Sequence, residues 1–329
     1  MFVSVIIPVR NEEKRIKVCL DRVFLQTHPK EKMEVLVVDG MSQDKTREIA
    51  RHFPVRVLDN PKGQRASGLN IGIKSAKGEI ILRIDARTVI SKDYVEKCVK
   101  TLLETGADNV GGVQAPLINE KIDLTQKAIG LAATHPFGAG DAQFRLGKKS
   151  GEADSVYLGC FRKSIFDKVG LFDEESAAIT EDSDINYRIK KAGGKVYLNK
   201  DIVAYYIPRD NLMDLWRLYF RYGGVRAGFF FKHRVLRGRH LMPLVFVLSL
   251  AALSLLSFIS PVFLVAFIFL VGFYLLADMF AGMSLAVRHK DPRIFAPLMI
   301  VFPCMHFSWA LGFMRRMAQR PKSGTYWGY

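Results

Sequence analysis

Short apolar runs alternate with amphipathic segments over the first hundred residues. The runs at residues 3–7, 35–38 and 55–58 and the stretch 78–87 have the length of buried strands, and the segments between them repeat apolar residues at helical spacing. Strands that alternate with helices build a mostly parallel sheet with helices on both faces. We therefore expect the first half of the chain to be an α/β domain.

Polar residues follow these runs where each strand is expected to end. Pro8 follows the first run and is expected to stop its ladder, because it has no N–H. Asn11 is expected to cap the next helix. Asp39 and Asp85 follow the second and fourth runs. Right-handed crossovers bring such turns to one edge, where open α/β sheets bind ligands, so both aspartates are candidate site residues.

The last third of the sequence is strongly apolar. Its segments at residues 241–260, 261–287 and 294–313 are each close to or above the roughly 20 residues that a spanning helix needs. If the third segment spans, Arg315 and Arg316 end up outside, against the positive-inside tendency. Pro297 and Pro303 leave the alternative of a re-entrant or tilted element open.

The chain has a net charge of +16, and a group of its basic residues lies just before the first apolar segment: Arg209, Arg217, Arg221, Arg226, Lys232, Arg234, Arg237 and Arg239. Basic residues there suit an anionic membrane face better than nucleic acid. The mixture of arginines with aromatic residues predicts an amphipathic helix in the membrane interface. We therefore divide the chain into a catalytic domain at 1–208, an interfacial helix and basic linker at 209–240 and a membrane domain at 241–329.

Cellular location follows from the N-terminus and the cysteines. Met1 leads into the apolar run without a charged leader or cleavage site, so no signal peptide is expected. The four cysteines are scattered, which fits a reducing compartment and neither a zinc site nor a disulfide framework. We expect a multi-pass protein of the plasma membrane with a cytoplasmic catalytic domain.

With these residues in place, the chain resembles the family 2 glycosyltransferases, inverting enzymes of the GT-A fold that use nucleotide sugars. The resemblance covers residues 2 to about 230 and is narrowest to the branch of membrane-anchored succinoglycan-type glucosyltransferases. The family motifs are Val3-Ser-Val-Ile-Ile-Pro-Val-Arg-Asn-Glu12, Val37-Val-Asp-Gly40, Ile84-Asp-Ala-Arg87 and Thr180-Glu-Asp-Ser-Asp184, and the branch motifs are Pro136-Phe-Gly-Ala-Gly140, Val156-Tyr-Leu-Gly-Cys-Phe-Arg162 and Tyr219-Phe-Arg-Tyr-Gly-Gly-Val-Arg226.

The resemblance implies a donor site at the edge of the sheet. Asp39 would hydrogen-bond the uracil or ribose, although an ordinary turn aspartate explains its spacing equally well. Asn70 would lie near the donor phosphates. The remaining implied donor residues are Pro8, Arg10, Glu12, Arg65, Asp85 and Arg87.

A divalent metal, Mg²⁺ or Mn²⁺, is implied because Asp85 occupies the first position of the family's Asp-x-Asp motif. The second acidic position is Arg87, which departs from that motif. Either Asp85 alone ligates a metal otherwise held by phosphate and water, or Arg87 pairs with the diphosphate as a fixed cation. We favour the first alternative.

Asp182 is the catalytic base that the resemblance implies, because inversion needs a carboxylate to take the proton of the attacking hydroxyl. An acidic first turn after a Thr180 cap is the alternative. Gly159, Cys160 and Glu181 are implied at the acceptor, whereas a strand glycine packed on backbone would explain Gly159 as well.

Arg221, Tyr222 and Arg226 lie where processive relatives carry a Gln-x-x-Arg-Trp motif, which this sequence lacks. The two arginines are expected to bind donor or lipid diphosphate, or alternatively to supply membrane-surface charge. The missing motif favours transfer of a single sugar.

The resulting hypothesis is transfer of one hexose from a nucleotide sugar, UDP-linked by the resemblance, to a lipid-linked polyprenyl-diphosphate acceptor at the cytoplasmic membrane face. It would serve exopolysaccharide or other surface-glycan synthesis. The alternatives are a processive polysaccharide synthase and a membrane scaffold with a degenerate, non-catalytic domain.

Overall fold

The computed structural model describes residues 1–174, 181–236 and 238–319, so Thr180 lies outside the described residues. The described residues divide into two compact units, the first within residues 1–117 and 143–207 and the second within residues 118–142 and 208–319. Residues 118–142, which we expected within the catalytic domain, thus belong with the helical second unit.

The first unit contains a sheet of nine strands among the described residues. Its order is β3-β2-β1-β4-β8-β6-β9-β5, and β7 pairs with β9. The strands are β1 (Val3–Val9), β2 (Met33–Asp39), β3 (Arg56–Asp59), β4 (Ile80–Arg83), β5 (Thr88–Ile90), β6 (Asn109–Pro116), β7 (Gly151–Glu152), β8 (Tyr157–Arg162) and β9 (Val196–Tyr206).

The four strands predicted from the apolar runs form one parallel half of the sheet. β1 lies between β2 and β4, and β3 pairs with the outer side of β2. Along β1, Val5 and Ile7 are buried in one core cluster, while Ile6 is buried in the other. This burial on both faces explains why the strands are continuous apolar runs rather than alternating ones.

The other half of the sheet is mixed, which corrects the expectation of a mostly parallel sheet. β8 runs antiparallel to both β4 and β6, and β9 is parallel to β6 but antiparallel to β5 and β7. These strands are not separated by regular strand-helix alternation, so the pattern that predicted the first half did not extend to them.

Helices cover both faces of the sheet in the first unit. Ile16, Leu20 and Val23 of α1 pack on one face, and Leu69 and Ile73 of α3 pack on the other. The helices of this unit are α1 (Ile16–Phe24), α2 (Thr46–Arg51), α3 (Arg65–Ser75), α4 (Tyr94–Thr105), α7 (Gln143–Leu146), α8 (Ile165–Val169) and α9 (Glu181–Lys191), with a 3-10 turn at Lys30–Lys32; α5 and α6 belong to the second unit.

Two local expectations for the first βα connection were wrong. β1 continues through Pro8 to Val9, because its pairing with β2 extends that far while its pairing with β4 ends at Ile6. Asn11 does not cap α1, which begins later at Ile16. Asn11 instead has a positive φ of 53°, and its side-chain oxygen accepts a hydrogen bond from the backbone N–H of Gln43 at 2.9 Å.

The described residues of the second unit form helices joined by loops and contain no strand. Ala128, Ile129 and Leu131 share its core with Leu298 and Phe302. Its helices are α5 (Leu124–Ala132), α6 (Pro136–Ala139), α10 (Leu212–His233), α11 (Gly238–Leu256), α12 (Pro261–Arg288) and α13 (Phe295–Ala318), with a 3-10 turn at Pro292–Ile294.

Among the described residues of the second unit, two stretches are long and apolar enough to cross a membrane, α12 and the stretch from Pro292 to Ala318, while the apolar part of α11 from Leu241 to Leu256 is shorter. α13 is one continuous helix with Pro303 inside it, so the prolines do not break it. The expected helix at 209–240 is present as α10, capped by Asn211, whose side chain accepts from the N–H of Asp214 at 2.9 Å.

Candidate active site

A buried arginine at the end of β4 gathers three carboxylates. The side chain of Arg83 is only 2% exposed, and its Nε and Nη2 donate to the two carboxylate oxygens of Asp85 at 2.9 and 3.1 Å. Nη2 also donates to Glu181 Oε1 at 3.3 Å, and Nη1 donates to Asp182 Oδ1. Arg83 therefore joins the turn after β4 to the start of α9.

The carboxylates reach Arg83 for local reasons. Asp85 lies in the turn just beyond β4, and Glu181 and Asp182 occupy the first turn of α9, where the helix dipole favours negative charge. Ile185 and Ile189 anchor α9 in the core cluster on one face of the sheet. The side chains of Asp85 and Asp182 remain 22% and 30% exposed, so both are accessible to a ligand.

Arg65 adds a second cation to this cluster. It begins α3, and its Nη1 donates to Glu181 Oε1 at 2.9 Å. Asn60 fixes this end of α3, since its side chain donates to the carbonyl of Gln64 at 2.7 Å and accepts from Ser67 Oγ at 2.8 Å. The other carboxylate oxygen of Glu181, Oε2, is buried and has no hydrogen-bond partner.

The pKa values of the two partly exposed aspartates, Asp85 and Asp182, are shifted in opposite directions. Burial raises the pKa of Asp182 to about 6; the charge of Arg83 opposes this shift, and neighbouring Glu181 and Asp85 add to it. Burial also raises the pKa of Asp85, but the charges of Arg83 and Arg65 more than offset it, and the net pKa is lowered. Asp85 is therefore ionised at neutral pH, whereas the raised pKa of Asp182 is suited to a general base.

Arg87 forms an ion pair with Glu12. Its Nε donates to Glu12 Oε1 at 2.6 Å, and Arg15 contacts the other Glu12 oxygen at 3.2 Å. Half of the Arg87 side chain is exposed, at 52%. The residue in the second position of the acidic motif is thus an accessible cation, and its negative partner comes from the turn after β1.

Arg10 covers two glycines on the same edge of the sheet. A Cβ built on Gly63, which has a φ of +64°, would lie 2.8 Å from Arg10 Nη1, and one built on Gly40 would lie 3.3 Å from Arg10 Cβ. The positive φ of Gly63 favours glycine there, because other residues are strained in this conformation, whereas the flexible end of Arg10 could move aside. Pro8 packs nearby on α3, since a Cβ on Gly68 would lie 3.4 Å from Pro8 Cβ.

Asp39 lies on the same edge of the sheet but is fully buried. Its carboxylate accepts from Ser42 Oγ at 2.6 Å and from the Ser42 N–H at 3.0 Å, and Arg47 contacts it at 3.4 Å. β1 separates β2 from β4, which places Asp39 two strand spacings, or about 10 Å, from the end of β4. These bonds are those of a turn aspartate, the alternative that the sequence left open.

Gly159 and Cys160 lie inside the sheet rather than at its edge. Cys160 is fully buried and pairs with Leu82 and Val110. A Cβ on Gly159 would lie 2.7 Å from Asn109 Oδ1, and it would overlap the ring of Phe161. Close packing in the strand therefore accounts for both residues.

The remaining predicted residues have other surroundings. Asn70 holds the loop at Phe172, accepting from its N–H at 2.9 Å and donating to its carbonyl at 2.8 Å. On α10 in the second unit, Tyr222 packs edge-on against Tyr219, and the Arg226 guanidinium lies 5.1 Å from the centre of the Phe229 ring. Arg221 is an exposed residue of the same helix.

Asp85 is the carboxylate of this site that could bind a divalent cation. The described residues contain no group of three or more His, Cys, Asp or Glu side chains able to hold a metal by themselves. Mg²⁺ is commonly bound through one or two carboxylates with the rest of its shell from phosphate and water. Exposed, ionised Asp85 supplies one such carboxylate, so the site fits a metal held mainly by a bound diphosphate.

The sequence reasoning missed Arg83. A charged residue in an otherwise apolar strand is a signal, since Lys and Arg are almost never fully buried unless paired. That signal alone names no partner, because Glu181 and Asp182 lie about a hundred residues away.

Comparison with known proteins identifies the family. The family model described as glycosyl transferase family 2 matches residues 4–170. Succinoglycan biosynthesis protein ExoA of Rhizobium meliloti (strain 1021) is 31% identical over 322 residues, which cover 95% of this chain and 94% of ExoA. The chain belongs to glycosyl transferase family 2. It is therefore a glycosyltransferase, as the motifs predicted.

Two further comparisons agree with this family 2 assignment. An archaeal relative from Methanococcus voltae, dolichyl N-acetyl-alpha-D-glucosaminyl phosphate 3-beta-D-2,3-diacetamido-2,3-dideoxy-beta-D-glucuronosyltransferase, is 24% identical over 92% of this chain and 94% of its own. The structure of mannosyltransferase PcManGT from Pyrobaculum calidifontis, in complex with GDP-Man and Mn²⁺, superposes with a TM-score of 0.61 at 20% identity, covering 97% of this chain and 88% of that one. The second comparison confirms the GT-A fold.

Proposed function

We propose that this family 2 glycosyltransferase transfers one hexose from a nucleotide sugar, with UDP as the nucleotide, to a lipid-linked saccharide acceptor with inversion at the anomeric carbon. The observation that carries the proposal is the Arg83 cluster. It presents one carboxylate whose pKa is lowered, Asp85, beside a second partly exposed carboxylate, Asp182, whose pKa is raised to about 6.

Asp182 is the proposed base. As the acceptor hydroxyl oxygen bonds to the anomeric carbon, its proton passes to the Asp182 carboxylate, and the bond from that carbon to the diphosphate oxygen breaks on the opposite side. The electron pair leaves with the nucleoside diphosphate. A base with a pKa close to the working pH is mostly ionised and still takes up a proton effectively, which is the reason for raising the pKa of an aspartate.

Arg83 is a positioning residue in this proposal. It holds Asp85 through two parallel hydrogen bonds and Asp182 through one, so the carboxylate that faces the donor and the base keep a fixed separation. A planar guanidinium bonds both carboxylates at once, whereas an ammonium group has no such fixed geometry.

The donor diphosphate is proposed to lie between Asp85 and the exposed arginines. Arg87 and Arg65 have side chains 52% and 49% exposed and supply positive charge on either side. A Mg²⁺ or Mn²⁺ bound by Asp85 and the diphosphate would stabilise the charge that develops on the leaving group. Asp39 would act indirectly by holding the turn at Ser42, with Arg10 and Glu12 lining the nucleotide side.

The acceptor is proposed to be a polyprenyl-diphosphate saccharide, used at the cytoplasmic face of the cell membrane in surface-glycan synthesis. The support is α12, which exposes large apolar side chains along its length, among them Phe269, Phe273 and Phe280 at 74%, 73% and 76%. A large exposed apolar surface is typical of a contact with a membrane or with another protein, and the length and apolar composition of α12 support the membrane. A lipid-linked acceptor would be available to an enzyme held at the membrane.

The test is direct. Purified full-length protein is incubated with a panel of nucleotide sugars and lipid extracts in the presence of Mg²⁺ or Mn²⁺, and the products are identified by mass spectrometry. We expect one hexose added to a polyprenyl-diphosphate saccharide, and the Asp182→Asn variant should form this product at least about a hundredfold more slowly. A ladder of product lengths would support a processive synthase, and transfer only to a water-soluble acceptor would overturn the lipid-linked one.

A further inference from the structure

α10 and α13 lie side by side and run in the same direction. The carbonyl oxygen of Leu212 lies 3.6 Å from Cys304 Sγ, a separation of 92 residues along the chain. A Cβ on Gly312 would overlap the Phe220 carbonyl, and one on Gly224 would lie 3.9 Å from Arg316 Cβ. Both of these pairs keep the same separation of 92 residues, so the helices are parallel and in register.

Glycines bring the two backbones into contact. A Cβ on Gly223 would overlap the Trp309 carbonyl and would lie 2.8 Å from the Phe313 nitrogen. Small residues at such positions allow close helix approach. The register therefore assigns each residue of α10 a definite level along α13.

Charged residues of α10 lie at the level of the middle of α13. By the common separation, Asp214 is level with His306 and Arg217 is level with Trp309. The Arg217 and Asp214 side chains are 70% and 41% exposed, and they contact each other at 3.5 Å. If α13 crossed a bilayer, this exposed pair would lie in hydrocarbon, where charged side chains are costly to insert.

The surface of α13 is also unlike that of α12. Among the described residues of α13, the large apolar side chains that are well exposed are Ile300 and Leu311. α10 and α5 pack along this helix, and Phe246 of α11 contacts Phe307. α13 thus offers lipid little of the apolar surface that α12 offers along its length.

We propose that α13 does not cross the membrane. In this arrangement, which rests on the proposed membrane location, α11 and α12 insert as a hairpin with its tip at residues 257–261. α10 and α13 stay together as a parallel pair at the membrane surface from which the hairpin enters. Arg315 and Arg316 then remain on the same side as Arg288 and Arg293, as the positive-inside tendency requires.

Labelling of single cysteines tests this arrangement in the full chain. The background is Cys304→Ser, because the other three cysteines are buried. Into it we place His289→Cys, before α13, and Gln319→Cys, after it; both positions are exposed. A membrane-impermeant maleimide is then applied to sealed inverted vesicles and to spheroplasts, with labelling after detergent as the control for a reactive thiol.

We expect His289→Cys and Gln319→Cys to be labelled in inverted vesicles and protected in spheroplasts. Labelling of the two in opposite preparations would overturn the proposal, and Ala318→Cys repeats the test if Gln319→Cys is poorly expressed. Release of the protein by alkaline carbonate would show that the membrane location itself is wrong. Transfer activity of the background variant is measured separately, so failure of the glycosyltransferase proposal is distinguishable from failure of the topology.

Discussion

Arg87 pairs with Glu12, with 2.6 Å between Nε and Oε1, in the position where the family motif has a second acidic residue. The departure from the motif therefore does not leave an unpaired charge. It exchanges a carboxylate for an accessible cation whose counter-charge comes from the turn after β1. Under the proposed function, Asp85 would then be the one protein carboxylate that this motif offers a metal.

Metal dependence is the first prediction. With one protein carboxylate, the cation is held largely by the donor diphosphate, so excess EDTA should abolish transfer, and added Mg²⁺ or Mn²⁺ should restore it. Arg87→Asp should lower the metal concentration needed for half-maximal activity, since it adds a ligand and removes a repelling charge. Full activity in EDTA would exclude the metal and favour the arginines alone.

Replacing the base is the second prediction. Asp182→Asn keeps the size of the side chain and removes its ability to take a proton, so kcat should fall by about 10²- to 10⁴-fold. Donor binding, measured by isothermal titration calorimetry, should stay within about threefold. Glu104→Gln, which changes an exposed carboxylate on α4, is the matched control and should keep full activity. Undiminished turnover in Asp182→Asn would remove Asp182 from the role.

The pH dependence follows from the same residue. Because the pKa of Asp182 is raised to about 6, kcat/KM should decline as the pH falls below about 6 and approach a tenfold loss per unit. The contribution of Asp182 to the free energy of unfolding has the opposite pH dependence. The folded-state pKa lies above the ordinary value of 3.8, so the stability contributed by protonated Asp182 is present below about pH 4 and is lost as the pH rises through about 6. A pH series of kcat/KM and of thermal unfolding, each for wild type and Asp182→Asn, measures both trends.

Arg83 should be required for stability as well as for activity. Arg83→Met leaves three carboxylates without their shared cation, and breaking a buried ion pair in this way costs about 3–5 kcal/mol; the partial exposure of Asp85 and Asp182 places the expected loss at the lower end. Arg56→Met, which breaks the half-exposed pair with Glu34, should cost less than about 1 kcal/mol. Chemical denaturation in detergent compares the two variants, and equal losses would contradict the central role of Arg83.

The helix contact in the second unit gives a matched glycine pair on α10. Gly223→Ala forces a methyl group against the Trp309 carbonyl and should destabilise the unit by about 1–3 kcal/mol. Gly228→Ala has open space around it and should gain up to about 1 kcal/mol from helix propensity. Thermal unfolding of the two variants in the same detergent measures the difference. Similar melting temperatures would mean that α10 and α13 are not in close contact.

The sequence predicted the strands that have a regular apolar pattern, and it did not predict the pairing between segments that are distant in the chain. The expected strands at residues 3–7, 35–38, 55–58 and 78–87 contain or overlap β1 to β4. Apolar periodicity is local, so it reports such elements well. The β8 insertion and the second half of the sheet depend on pairing between distant segments, about which periodicity carries no information.

For the candidate site too, the sequence identified individual residues but not the contacts between them. Asp85 and Asp182 were named from motifs, but their link through Arg83 joins residues about a hundred positions apart and could not be derived from spacing. Asp39 and Cys160 were named from motifs too, and the turn bonds and strand burial found for them depend on neighbours that the motif does not specify. Whether Asp182 acts as the base stays a prediction.

The assignment of residues 118–142 to the helical unit decides how the enzyme can be shortened. A protein that ends at residue 207 would still carry α5, whose Ala128, Ile129 and Leu131 are buried in the same core as Leu298 and Phe302. Deleting the C-terminal helices would leave that apolar face bare and the product prone to aggregate. A soluble catalytic fragment therefore requires replacing residues 118–142 with a short polar linker in addition to the truncation.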